Sequence, residues 1–221
     1  MRTIAFLPYG AFGRAVAARL AADGRYRIDP LGENDASDHA EAVPDAVVSA
    51  GCVPLDTVRA AVGGGRGGRR PWLPILLEPS ELSVGPWIGP RGTCVSCYTA
   101  RRAQHDGSDG RSAVVRAVLE QSPGEDFWPF LPAHARIAAA LAAQHLDRYF
   151  AADADAGSES GSVPDPRLVS RYRFGRSSIG GATVIPFGGC RDCREPGGDP
   201  GPRPLDAVFT LLAKEKVHAN G

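Results

Sequence analysis

Short apolar runs bounded by glycine or proline alternate along this chain with segments whose apolar residues return every three or four positions. Thr3 to Leu7 is the first such run. Pro8-Tyr-Gly10-Ala-Phe-Gly13 follows, and then Arg14 to Leu20, where Val16 and Leu20 stand four apart as on one helix face. Strand, glycine turn and helix in that order open a dinucleotide-binding unit. Tyr26 to Asp29 reads as a second strand, Asp45 to Ser49 as a third, and Leu55 to Val62 as a helix after it. Gly63 to Arg70 is a flexible basic loop, read as a solvated linker. Trp72 to Leu77 and Leu82 to Gly85 look like two more strands. The expected fold class is α/β, a Rossmann-like mixed sheet with flanking helices.

Beyond Gly85 the pattern turns helical. Tyr98 to His105 reads as a short basic helix, and Arg111 to Gln121 as another with Val114, Val115, Val118 and Leu119 on one side. Ala133 to Ala152 is the longest helical pattern, carrying Ile137, Leu141, His145 and Tyr149 four apart. His145 on that row reads as a packed or interface histidine. Asp153 to Pro166 is an acidic loop by composition. Leu168 to Phe174 and Ala182 to Phe187 read as strands around a turn at Ser177 to Gly181. Leu205 to Val217 closes the chain as an amphipathic helix, with Leu205, Val208, Phe209 and Leu212 on one stripe.

Composition narrows the function classes. A length of 221 residues suits a single domain, divided here into a Rossmann-like half over residues 1–90 and a cysteine-clipped half over 91–195. The 25 basic and 25 acidic residues cancel, so nothing draws the chain to nucleic acid or to a membrane surface. No apolar run approaches the roughly 20 residues of a membrane span, and no secretory signal opens the chain. A cytoplasmic protein is expected.

Cysteine adds the chemistry. Cys94-x-x-Cys97 and, far later, Cys190-x-x-Cys193 each read as a turn aiming two sulfurs at one spot. Together they supply the four thiolates of a closed, structural zinc site. Two disulfides, or a redox-active pair, are the competing readings. Cys52 has no partner and reads as a small buried residue at a strand end. At the glycine turn, Gly10 and Gly13 fill the second and third positions of Gly-x-Gly-x-x-Gly, but Pro8 fills the first and brings no amide hydrogen. The turn and the helix–strand contact survive this change better than a phosphate cradle. Asp29 reads either as a ribose-binding acid or as a solvated strand-end carboxylate.

The segment Gly85-Pro86-Trp-Ile-Gly-Pro90-Arg-Gly-Thr-Cys94-x-x-Cys97, the Arg101-Arg102 helix, the alanine-rich helix and the late hairpin into Cys190-x-x-Cys193 resemble the ThiF/MoeB-like superfamily of ubiquitin-activating type enzymes. More narrowly they look like the ThiF-like partner proteins of YcaO cyclodehydratases, which assist azole and azoline formation on ribosomal peptides. The resemblance implies one structural zinc on Cys94, Cys97, Cys190 and Cys193. It also implies a YcaO-type partner, a precursor peptide and a homodimer or heterodimer. Adenylating members carry an acid where this chain has Ser49, Ala50 and Gly51. The expectation is therefore a scaffold with no catalytic residue and no ATP, the alternative being an active adenylating enzyme. Many partners begin with a winged-helix peptide-recognition domain; here the chain starts at the Rossmann-like strand, so leader binding is expected from another polypeptide.

Overall fold

The computed structural model describes residues 1–31, 44–52, 55, 58–59, 70–89, 91–105, 114, 118, 129–154, 165–187, 190 and 192. Its centre is a seven-stranded sheet. The strands are β1 (Arg2–Pro8), β2 (Tyr26–Pro30), β3 (Ala46–Gly51), β4 (Trp72–Leu77), β5 (Glu81–Val84), β6 (Leu168–Arg173) and β7 (Ser178–Thr183), in spatial order β2-β1-β3-β4-β5-β6-β7. The first four run parallel and the last three antiparallel, so the sheet is mixed. Helices α1 (Gly10–Asp23), α2 (Val95–His105) and α3 (Pro132–Ala154) flank it.

Strands β3 and β4 are buried at every position, as expected where helices cover both faces. Alternate residues go to opposite cores. Ile4, Phe6, Val48, Leu73 and Ile75 meet Phe12, Val16 and Leu20 of α1 and the alanines 135, 138 and 142 of α3. Ala5, Leu7, Val47, Trp72 and Leu76 meet Val95 and Tyr98 of α2, with Leu55 and Val58. The alanines let α3 lie close along α1, and Phe12 meets Phe130 edge-on at 5.4 Å.

Three boundaries differ from the sequence reading. The first cysteine pair is not in a turn: α2 begins at Val95, so Cys94 precedes its first residue and Cys97 lies inside its first turn. The late hairpin reverses at Phe174–Arg176, a 3-10 turn closed by Ser177 at φ 44°, rather than over Ser177 to Gly181. Gly180 and Gly181 instead lie within β7, and Ala182 to Phe187 is mostly the extended exit from that strand. Leu55, Val58 and Arg59 are helical as expected. Val114 and Val118 are helical, and both are exposed. Of the expected acidic loop Asp153 to Pro166, Asp153 and Ala154 end α3, and residues 155–164 lie outside the described residues, as does the helix Leu205 to Val217. No described helix is long and apolar enough to cross a membrane.

His145 ties α3 to the antiparallel strands, its Nε2 lying 3.0 Å from the Ser170 hydroxyl. Burial, reinforced by Arg148, lowers its pKa from 6.5 to about 4. The folded state thus holds a neutral imidazole, while the unfolded chain takes up a proton below about pH 6.5. Stability is therefore lost as pH falls. Urea titrations at pH 7 and pH 5 should show a loss of about 2 kcal/mol assignable to this residue, and His145→Gln should remove that part of the slope.

Candidate functional site

The thiol cluster is built from the loop after β5. Trp72 and Ile88 exchange backbone hydrogen bonds of 2.8 Å, and the Thr93 amide donates to the Trp87 carbonyl at 2.9 Å. The chain doubles back so tightly that a Cβ at Gly92 would stand 1.9 Å from the Trp87 oxygen, which only glycine avoids. This fold-back delivers Cys94 to the start of α2. The sulfurs of Cys94, Cys97 and Cys190 all lie within 4.8 Å of one another. Cys94 and Cys97 are buried and Cys190 is half-buried.

Backbone amides support the sulfurs. The Cys97 amide donates to Cys94 Sγ at 3.3 Å and the Phe187 amide to Cys97 Sγ at 3.2 Å. Arg101 fixes the incoming segment, donating to the Ile185 carbonyl at 2.8 Å and lying 4.5 Å over the Phe187 ring. Ser96 bonds Asp192, joining the middle residues of the two Cys-x-x-Cys motifs. A buried set of soft donors, held by N–H···S bonds, fits a thiolate-bound divalent ion such as zinc. Cys193 lies outside the described residues. Sequence spacing pointed to the cysteines. It gave no sign of the Arg101 clamp or the Ser96–Asp192 link, because both join residues far apart in the chain.

The nucleotide end lies at the carboxyl ends of β1 and β3, where the parallel strand order reverses and α/β proteins bind ligands. Tyr9, the first residue after β1, stands beside this crevice and joins the core on the α2 side. It is buried, its amide donates to the Ala50 carbonyl at 2.9 Å, and a Cβ on Gly51 would meet Tyr9 Cβ at 2.5 Å. Ser49, in the stretch where adenylating enzymes carry an acid, is buried and accepts the Trp72 indole N–H at 2.8 Å. Gly10 opens α1 with φ 63°, and Gly13 packs against the strand ends. Cys52 sits beside this end as a neutral thiol, its pKa pushed up to about 12 by burial and Glu78. Asp29 pairs with Arg27 at 3.1 Å on the edge strand β2. Composition could not reveal that Tyr9 is buried, because an x position of the glycine motif carries no rule.

No family model and no curated protein matches the chain. Solved structures do. The heterocyclase TruD aligns with a TM-score of 0.62 at 15% identity, over 87% of this chain and 27% of that one. The E. coli microcin synthetase McbBCD complex aligns with a TM-score of 0.58 at 9% identity, over 86% of this chain and 67% of its own. E. coli MccB with AMPCPP and MccA aligns with a TM-score of 0.54 at 13% identity, over 87% and 67%. The chain shares its fold with these proteins. These likenesses show the fold, and the chain spans only about a quarter of the heterocyclase TruD.

The contact under α1 gives a direct test. A Cβ at Gly13 would stand 2.4 Å from the Ala50 oxygen and 2.9 Å from Pro8 backbone atoms, none of which can rotate away. Gly13→Ala should lower stability by about 2–3 kcal/mol, read as a lower urea midpoint at an unchanged slope.

Proposed function

We propose that this chain is a non-catalytic ThiF-like scaffold supporting a YcaO-type cyclodehydratase in azole or azoline formation on a ribosomal peptide. The partner supplies ATP and the cyclodehydration chemistry. This chain presents the precursor or holds the partner in its competent shape. The observation that carries the reading is Tyr9 buried over Gly51 at the strand crossover, with Ser49 committed to Trp72. Ser49, Ala50 and Gly51 offer magnesium no acid, while the sulfurs of Cys94, Cys97 and Cys190 lie together. Heterocyclase and microcin synthetase components among the structural neighbours supply the context.

In the same reading Cys94, Cys97, Cys190 and Cys193 hold one structural zinc ion, which joins α2 to the segment after β7. The ion supplies cohesion, not reactivity, since four thiolates leave no open coordination position.

Reconstitution with a YcaO-type enzyme and its precursor checks the function. Heterocycle formation, followed as loss of 18 Da per ring, should require this chain and should persist with Gly10→Ala. Pyrophosphate exchange by the isolated chain would support the adenylating alternative instead. Metal analysis should find one zinc per chain, lost in Cys94→Ser together with cooperative unfolding, because structural zinc contributes about 10–16 kcal/mol to folding. A folded, zinc-free wild-type protein would refute the metal assignment.

A further inference from the structure

An arginine-lined notch of about 100 Å³ opens between α2 and the β6–β7 hairpin, floored by Tyr98, Val169 and Val184. Arg101, Arg102 and Arg171 line it. Arg102 is matched by Glu78 at 2.5 Å. Arg171 is not matched in this way. Its side chain is only 23% exposed, and its Nε is buried without a hydrogen-bond acceptor among the described residues. The carboxylate facing it, Glu81, stands 3.9 Å away and is equally far from Arg173. One carboxylate thus faces two guanidinium groups. Two guanidinium groups sharing one carboxylate leave an excess of positive charge here, and a further carboxylate is the partner that suits it.

Arg171 stands one strand in from the sheet edge. Arg171 pairs in register with Gly180 of β7, and the β7 residues on that face are Ser178, Gly180 and Ala182. A Cβ at Gly180 would meet nothing within 4 Å, so the strand forms a bare shelf beside the arginine. All six β7 residues are exposed, and among the described residues β7 pairs with β6 alone. A strand added along β7 would lie two strand spacings, about 10 Å, from β6. An arginine and a glutamate side chain together span that distance.

We infer that β7 accepts an extended peptide segment by strand addition, and that an acidic side chain of that segment, opposite Gly180, pairs with Arg171. Backbone hydrogen bonds supply affinity and the notch selects the acid. This deepens the scaffold reading by giving the chain a peptide-binding edge. Its test uses the isolated full chain and no cyclodehydratase, so either can fail without the other.

The probe is a fluorescein-labelled heptapeptide of alternating valine and threonine with a central glutamate, beside its glutamine counterpart, both read by anisotropy. The glutamate peptide should bind about tenfold or more tightly than the glutamine one. Arg171→Gln should abolish that difference, and Arg171→Lys should restore part of it. Gly180→Val, whose Cβ would meet nothing within 4 Å, should weaken both peptides, as should N-methylation beside the glutamate. Equal binding of the two peptides to wild type, or no binding of either at millimolar peptide, overturns the inference. Displacement of the glutamate peptide by equimolar acetate overturns it too, since the site would then be a simple anion pocket.

Discussion

The first turn of α1 lies so close to the ends of β1 and β3 that position 13 tolerates only a hydrogen atom, and much of the molecule depends on that contact. It brings α1 flat onto the parallel strands, where Phe12, Val16 and Leu20 enter one core. Helix α3 then lies along α1 through a face of alanines, and His145 carries the registration on to the antiparallel strands through Ser170. The same closeness decides the chemistry of this end. A glycine turn serves phosphate best with a full set of amide hydrogens and a nearby acid for the metal, and here Pro8 and Ser49 stand in those places.

The elements legible in the sequence were those with a strong local signal. Apolar runs bounded by Gly and Pro placed β1 to β5 to within about two residues, and the alanine-rich period placed α3. Spacing also picked out the thiols of Cys94, Cys97 and Cys190 as one cluster. What escaped was decided by tertiary context. Gly180 and Gly181 resemble a turn in isolation but lie in an edge strand, because the real reversal uses Ser177 in a left-handed conformation that non-glycine residues seldom take. Likewise Cys97 is helical because α2 packs Val95 and Tyr98 into the second core, a fact of packing and not of local propensity. Tyr9, Arg101 and Arg171 matter through partners distant in sequence, so no window along the chain contains the evidence for them.

The two ends of the molecule are specialised in opposite directions. At the carboxyl ends of β1 and β3, polar groups are spent internally: the Tyr9 amide on Ala50, and the Ser49 hydroxyl on the Trp72 indole. Across the sheet, α2 gathers sulfur, arginine and the exit from β7 into one region. Interior satisfaction at the first end makes a rigid platform, and the second end keeps its unmet bonding capacity at the surface.

The strand β7 carries no charged residue, and its exposed Ile179 stands between small neighbours. Natural sheets usually guard such a border with lysine, proline or a bulge. Left bare, it can template the same border on a second molecule, joining two sheets through their backbones. At high concentration the isolated chain should therefore self-associate through this rim, and any solution study of it has to separate stacking of like copies from capture of a foreign strand.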